Sequence, residues 1–191
     1  MGIFDSLLGR SKPPPADLDV LFAVPQASLS LQAEGFAVTG SGSVCYRDVE
    51  GSADDAVMAD AEKLVLAGTG ATVARSEDRF GFHWLTVART DHDVTGLVTD
   101  LHAVNSSLVD AGFGSALLCS TIVFSAPQDR PLGLVYLYKR GTFYPFAPLT
   151  GEKRDNALEL QVRGVIGDDV PVEPDLASWM AIWGAPGLTT S

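Results

Sequence analysis

The sequence predicts an α+β protein, with a mostly antiparallel sheet of paired strands and helices packed on one face of that sheet. Two features of the chain support this prediction. Segments with strand-like alternation come in pairs, and single segments with helical spacing separate the pairs. In addition, residues 132–138 are apolar on both sides of a period-two pattern, which is typical of a strand in the interior of a sheet.

Length and composition fit one folded domain. The chain has 191 residues, of which 46% are hydrophobic and 8% aromatic, and single domains usually contain about 100–200 residues. We assign residues 1–15 to a short amphipathic segment with a proline linker, 16–186 to a single α+β domain, and 187–191 to a tail.

The net charge of -11 argues against general binding to nucleic acid, because phosphates attract a basic protein face. A local basic patch remains compatible with this charge. Cys45 and Cys119 lie in apolar, strand-like runs, which indicates buried thiols rather than a disulfide framework. The chain has no apolar run of the roughly 18 residues that span a bilayer and no signal-peptide pattern at its start, so we expect a cytoplasmic protein.

The first ten residues contain a small apolar cluster. Ile3, Phe4, Leu7 and Leu8 share one face if this segment is helical. The segment either packs on the domain or frays, or it acts as a foot that touches a membrane or a partner. Three prolines at 13–15 follow as a stiff spacer between this segment and the domain.

In the first half of the domain, Asp17 is predicted to cap a short helix that ends near Pro25. Glycine-rich and charged turns then divide the chain into alternating elements. These predicted elements are a helical turn at 27–34, a strand with a bulge or turn at 36–46, a helix at 52–67 and a hairpin of strands at 71–76 and 80–88.

The clearest helix begins after Asp93, which is a good N-cap residue. Asn105 lies in the middle of its apolar stripe, so we expect this side chain to be buried and hydrogen-bonded. A nearly continuous apolar strand follows at 117–124. The stripe of the helix consists of Val94, Leu97, Val98, Leu101, Val104 and Leu108.

Cations and aromatic residues are concentrated between positions 139 and 154 of an otherwise acidic chain. They follow the central strand, and Gly141, Pro145 and Pro148 indicate a loop. Clustered cations recognise phosphates and carboxylates, which favours a surface for a partner or a lipid headgroup. Strand-end cations and an aromatic cover over the sheet are an equally good structural explanation. The residues of this predicted basic and aromatic surface are Lys139, Arg140, Phe143, Tyr144, Phe146, Lys153 and Arg154.

Two further helices are predicted after this loop. Asn156 and Glu159 form a capping box for the first of them. The second is predicted over 174–183, where Trp179 and Trp183 recur at helical spacing.

No catalytic or metal-binding pattern accompanies these elements. His83, His92 and His102 do not have the spacing of a known ligand motif, so we expect no metal and no cofactor. Cys119 and Ser120 lack the sequence context of a nucleophile. We therefore predict no catalytic residue.

Five long phrases stand out in the chain: MGIFDSLLGR, LVTDLHAVNSSLVDAGFGSALLC, VYLYKRGTFYPFAP, RDNALELQVRG and EPDLASWMAIWGAPGL. Together they resemble the PspA-associated protein PspAB family, over the first ten residues and most of the chain after position 97. The resemblance implies a small cytosolic accessory of the bacterial envelope-stress response, linked with the phage shock protein PspA and with HtpX-type membrane metalloproteases. It transfers no catalytic residue. The order of elements is also loosely similar to the folds of type III secretion chaperones and YbjN, which is a fold-level analogy.

Three functions are compatible with the sequence. The first is a non-enzymatic adaptor that binds a PspA-like protein, an HtpX-like membrane protease or the inner face of the cell membrane through the basic and aromatic surface. The second is an enzyme with a polar pocket around Asp100, His102 and Asn105. The third is a chaperone-like binder of apolar segments, which requires an exposed apolar groove. Homodimerisation through the sheet or the 174–183 helix fits each of them.

Overall fold

The computed structural model describes residues 17–47, 59, 63 and 70–189. These residues contain three α-helices and eight strands, and the predicted α+β class is confirmed. The helices are α1 (Val24–Ala33), α2 (Val94–Asp110) and α3 (Asn156–Ile166). The strands are β1 (Ala37–Tyr46), β2 (Ala71–Glu77), β3 (His83–Arg89), β4 (Leu117–Ala126), β5 (Arg130–Leu137), β6 (Thr142–Phe146), β7 (Pro148–Leu149) and β8 (Lys153–Arg154). Short 3-10 helices are Leu18–Ala23, Phe113–Ser115 and Leu176–Ser178.

Six strands form one antiparallel sheet in the order β2-β3-β1-β4-β5-β6, so β5 is an interior strand as predicted. The predicted bulge in β1 is confirmed, because the pairing of β1 with β4 shifts between Val38 and Ser41. Gly40 lies in this bulge with φ +73°, and a Cβ atom there would approach the carbonyl oxygen of Arg89 to 2.3 Å. The bend of β1 therefore depends on glycine at this position.

The sheet has two differently covered faces. One face packs under the three helices, and the buried core between them includes Leu101 of α2, Leu134 of β5 and Val162 of α3. The opposite face carries a second apolar cluster, which includes Trp84 of β3 and Val135 of β5. No described α-helix covers this second face. The irregular segment 174–189 crosses part of it and contributes Trp179, Ala185 and Leu188 to the cluster.

The last predicted helix is absent from this irregular segment. Only a 3-10 turn forms, at Leu176–Ser178. Arg154 donates a hydrogen bond to the Trp179 carbonyl, and Tyr144 donates one to the Met180 carbonyl. A helix over 174–183 would use the Trp179 carbonyl for the Trp183 N–H, so the hydrogen bond from Arg154 competes with the last turn of that helix. The Met180 carbonyl would have no partner within the helix and is therefore open to Tyr144. The helix suggested as a dimer contact therefore does not form.

Residue 188 packs more closely on the domain than a tail would. Leu188, in the predicted tail, is buried against β5. A Cβ atom on Gly133 of β5 would lie 2.6 Å from the Leu188 side chain. Glycine at position 133 therefore makes room for Leu188.

The predicted aromatic loop is instead the strand β6, which pairs with β5. Pro145 is tolerated because β6 is an edge strand of the described sheet, where proline is compatible with strand structure. Two helix starts also differ from prediction. Asp155, not Asn156, caps α3 by accepting the Leu158 N–H at 3.0 Å. The short helix that Asp17 caps ends at Ala23, near Pro25 as predicted. The following helix α1 begins at Val24 rather than at 27, with Pro25 in its first turn, where its missing N–H needs no partner.

Several predicted features lie outside the described residues. They are the foot residues Ile3, Phe4, Leu7 and Leu8 and most of the 52–67 helix, of which Ala59 and Lys63 have helical backbone. Within the described ranges, every helix is too short or too polar to cross a bilayer.

Candidate interaction groove

The aromatic part of the predicted surface lies in the protein core. Phe143, Tyr144 and Phe146 are fully buried. Alternation along β6 directs Phe143 towards the helices, and Tyr144 and Phe146 towards the second cluster. Phe143 and Phe146 offer no surface to a partner, which corrects the prediction for these two residues, whereas Tyr144 lines the groove described below. The cause is the pairing of β6 with β5. The sequence pattern does not reveal this pairing, because Pro145 and Pro148 indicate a loop.

Arg140 pairs with a buried carboxylate. Its Nη1 lies 3.2 Å from Oε1 of Glu173, whose side chain is only 2% exposed, while 49% of the Arg140 side chain is exposed. Burial acts to raise the pKa of Glu173. Hydrogen bonds from the Thr142 hydroxyl and the Asp175 N–H, together with the charge of Arg140, outweigh burial and lower this pKa below its ordinary value. Arg140 therefore contributes both to the fold and to the surface.

Arg154 is held within the structure. Its Nε donates at 2.9 Å to Oε1 of Glu159, a carboxylate that also accepts the Ala147 N–H and is 3% exposed. Its Nη1 donates to the Trp179 carbonyl, and the guanidinium carbon lies 5.2 Å from the centre of the Phe146 ring. Arg154 thus joins β8, α3 and the segment 174–189. Arg154 therefore has a role in the fold, and the partner contact that the sequence predicts for it stays a prediction.

The other two predicted cations, Lys139 and Lys153, are exposed. Lys139 and Arg140 border the groove described next, whereas Lys153 and Arg154 do not line it. The seven predicted residues therefore do not form one continuous surface.

A groove of about 510 Å³ opens on the sheet face that no described α-helix covers. Its floor includes Cys45, Cys119 and Trp84, and its walls are the turn between β2 and β3 and part of the segment 174–189. Arg47 follows β1, and Lys139 and Arg140 follow β5, so these three lining cations lie at the same edge of the sheet because both strands are antiparallel to β4. The groove is therefore mostly apolar, with positive charge gathered at one end.

Two apolar side chains stand at the walls of the groove. Phe80 is 54% exposed and Met180 is 64% exposed. Asp78 fixes the turn that carries Phe80, because its Oδ1 accepts the N–H groups of Phe80 at 2.8 Å and Phe82 at 3.1 Å, and its Oδ2 accepts the Trp84 indole N–H at 2.9 Å. Large exposed apolar side chains beside a concave surface are typical of an interaction site.

Neither Phe80 nor Met180 is among the predicted site residues. An aromatic residue within the charged turn 77–81 is the signal that could have identified Phe80. Met180 carries no comparable signal, because its exposure depends on the helix that fails to form.

The two cysteines face each other across β1 and β4. Both are free and buried, as the sequence predicts. A hydrogen bond with Cys119, burial, and the nearby negative charge of Asp78 raise the pKa of the Cys45 thiol far above its ordinary value. A neutral thiol is a poor nucleophile, so Cys45 contributes to the apolar floor rather than to a reaction.

The residues of the alternative enzyme site do not converge. Asp100 accepts a hydrogen bond from Arg89 at 2.7 Å, and His102 lies 3.2 Å from Asp19. Asn105 is in the core, and none of these three site residues lines the groove. In the part of the chain that the structure describes, no group of three or more His, Cys, Asp or Glu residues is arranged to hold a metal ion.

Asn105 is fully buried in a hydrogen-bonded network, as its position in the apolar stripe predicts. Its Nδ2 donates to the Leu101 carbonyl at 2.9 Å and to the Ser120 hydroxyl at 3.2 Å. Its Oδ1 accepts the Tyr138 hydroxyl, which also contacts the Ser120 hydroxyl. Burial raises the pKa of Tyr138 well above its ordinary value, so the phenol remains a neutral donor.

One known protein family matches nearly the whole chain. The model of PspAB, described as PspA associated protein B, matches residues 1–187. The chain belongs to the PspAB family. No curated protein and no solved structure matches the chain, so the likeness to type III secretion chaperones and YbjN stays a prediction. Membership of PspAB links the chain to PspA, as the resemblance in sequence implies.

Reversing the charge of Arg140 in this PspAB protein is expected to lower the free energy of unfolding by about 1–2 kcal/mol, because Glu173 would be left buried without its cation. Lys139→Glu is the matched control and should change stability by less than about 0.5 kcal/mol, since Lys139 is exposed. Urea denaturation of both variants measures the difference. Equal stabilities would show that the pair with Glu173 does not contribute.

Proposed function

We propose that this PspAB protein is a non-enzymatic adaptor that binds a PspA-like protein through the groove, at the cytoplasmic face of the cell membrane. The observation that supports the proposal is an apolar groove with a basic end, on the face of the sheet that the described α-helices leave open. An adaptor needs an accessible, shaped surface and no reactive group. The groove offers such a surface, and the thiol of Cys45 in its floor is held neutral.

The predicted site residues take different parts in this proposal. Lys139 and the exposed half of Arg140 contact the partner, Tyr144 lines the groove, and Phe146 packs in the apolar cluster of the same sheet face. Ile3, Phe4, Leu7 and Leu8 serve as an auxiliary foot at the membrane. An HtpX-like membrane protease is the second partner that the proposal includes.

Titration of the purified protein with a purified PspA-like protein from the same cells tests the proposal. We expect saturable binding that weakens about fivefold in Lys139→Glu, because reversing a charge at the rim of an interface slows association. The difference should shrink at high salt, which screens exposed charges. Calorimetry at two salt concentrations measures both effects.

Lys153→Glu is the matched control, since Lys153 is also exposed but lies outside the groove. A variant without residues 1–10 and a parallel titration with the soluble part of an HtpX-like protease test the foot and the second partner. The adaptor proposal would be overturned if neither the PspA-like protein nor the HtpX-like protease showed saturable binding.

A chaperone-like role is the second candidate, because the exposed apolar groove is the feature that it requires. The two candidates differ in selectivity. A chaperone-like binder should hold unrelated apolar peptides as well as it holds peptides from the PspA-like protein, and competition between such peptides distinguishes the two roles.

A further inference from the structure

We infer that the groove is a docking site for an amphipathic α-helix that carries acidic residues beside its apolar stripe. This inference rests on the proposed adaptor function and specifies the chemistry of the partner. It follows from three properties of the groove. The strands that form its floor are each paired on both sides, its volume suits the side chains of a helix, and cations lie at one end.

The floor of the groove selects a helix over an extended segment. Cys45, Trp84, Cys119 and Leu137 belong to β1, β3, β4 and β5, and each of these strands is paired on both sides. The floor therefore offers no open strand edge for a partner strand. An extended segment would leave its own backbone groups unpaired there, whereas a helix satisfies them internally.

The size and lining of the groove fit the side chains of one helix face. Its volume of about 510 Å³ is within the roughly 300–1,000 Å³ of typical ligand pockets. A helix that docks in a groove inserts apolar side chains spaced three and four residues apart. Phe80 on one wall and Met180 on the other are exposed, so both can close over such side chains.

The charge of the groove selects an acidic partner. The chain has a net charge of -11, yet Arg47, Lys139 and Arg140 meet at one end of the groove. Among the described residues that line the groove, Asp78 is the one carboxylate, and its oxygens accept hydrogen bonds from its own turn and from Trp84. Acidic residues at one end of the docked helix would meet Arg47, Lys139 and the exposed half of Arg140, which also pairs with Glu173.

A labelled peptide of about 15 residues, long enough to form a helix when bound, is the probe. It carries leucines at helical spacing and glutamates at one end, and a second peptide replaces the glutamates with lysines. We expect the acidic peptide to bind the full-length protein more tightly, by fluorescence anisotropy, and to show helical circular dichroism when bound. Phe80→Ser and Met180→Ser should each weaken its binding about tenfold, since each removes a large apolar contact.

Leu160→Ser is the matched control, because Leu160 is an exposed apolar residue outside the groove. Thermal melting verifies that the groove variants remain folded. Equal binding of the two peptides, or binding unaffected by Phe80→Ser and Met180→Ser, would overturn the inference. So would preferential binding to anionic lipid vesicles, or dissociation of a homodimer by these variants, because each identifies a different occupant.

The same variants separate the inference from the proposed function. If the PspA-like protein binds but is insensitive to Phe80→Ser and Met180→Ser, the adaptor proposal stands and the groove is not its site. If the acidic peptide binds in the groove but neither the PspA-like protein nor an HtpX-like protease binds, the groove assignment stands and the partner is another protein.

Discussion

Replacing Arg154 with alanine is expected to lower the free energy of unfolding by about 4 kcal/mol. The change leaves the carboxylate of Glu159 buried with the Ala147 N–H as its one hydrogen-bond donor among the described residues, and it removes the donor that holds the Trp179 carbonyl. Loss of one member of a buried ion pair costs more than the pair contributes, because the remaining charge stays desolvated. Urea denaturation followed by tryptophan fluorescence measures the loss.

Lys153→Ala is the control for this prediction, since Lys153 is the exposed cation next to Arg154 in β8. It should change stability by less than about 0.5 kcal/mol. The double variant Arg154→Met with Glu159→Leu should lose less stability than Arg154→Ala, because it leaves no unpaired charge. If Arg154→Ala is as stable as Lys153→Ala, Arg154 is a surface residue and the original sequence prediction for it stands.

Lys153 and Arg154 are adjacent cations that differ in exposure, which shows that charge in the sequence does not by itself identify a surface contact. The sequence places two cations side by side, and nothing local to them distinguishes the exposed Lys153 from the partly buried Arg154. The distinction depends on Glu159, which the sequence pattern assigns to a capping box at the start of α3. Asp155 takes the capping role instead, and Glu159 is left free to bind Arg154 and the Ala147 N–H.

Elements whose pattern and packing agree could be predicted from the sequence. The strand β5 is apolar on both faces because the helices cover one face and the second cluster covers the other. The stripe of α2 packs on the sheet throughout its length, so its helical spacing survives in the fold. In both cases the local preference and the tertiary environment favour the same structure.

Elements whose structure depends on contacts with residues distant in the sequence could not be predicted. The segment 174–183 has the apolar spacing of a helix, but Arg154 and Tyr144 bind two of its carbonyl groups. The strand β6 contains Pro145, which reads as a loop signal, and its pairing with β5 becomes visible only in three dimensions.

The groove illustrates the same limit at the level of the site. Lys139 and Arg140 were predicted as contact residues because cations cluster there, and they do border the groove. Its apolar walls come from Phe80 and Met180, which are about a hundred residues apart in sequence and carry no shared pattern. A charge cluster is visible in the sequence, whereas a concave surface is a property of the folded chain.

Replacing Asn105 with leucine is expected to lower the free energy of unfolding by about 2–3 kcal/mol, although leucine has a similar shape and suits the apolar stripe of α2. The change removes the acceptor of the Tyr138 hydroxyl and a donor to the Ser120 hydroxyl, both of which are buried in the core. A buried hydroxyl that loses a partner keeps its desolvation cost. Urea denaturation of the variant measures this effect.

The triple variant Asn105→Leu, Ser120→Ala and Tyr138→Phe provides the decisive comparison. It removes every side-chain polar group of the network, so it should recover more than half of the stability that Asn105→Leu loses. Such recovery would show that Asn105→Leu is destabilising because it leaves buried hydroxyl groups without partners, and that the intact network itself adds little stability. A triple variant that is less stable than Asn105→Leu would instead show that the remaining contact between Ser120 and Tyr138 stabilises the core by itself.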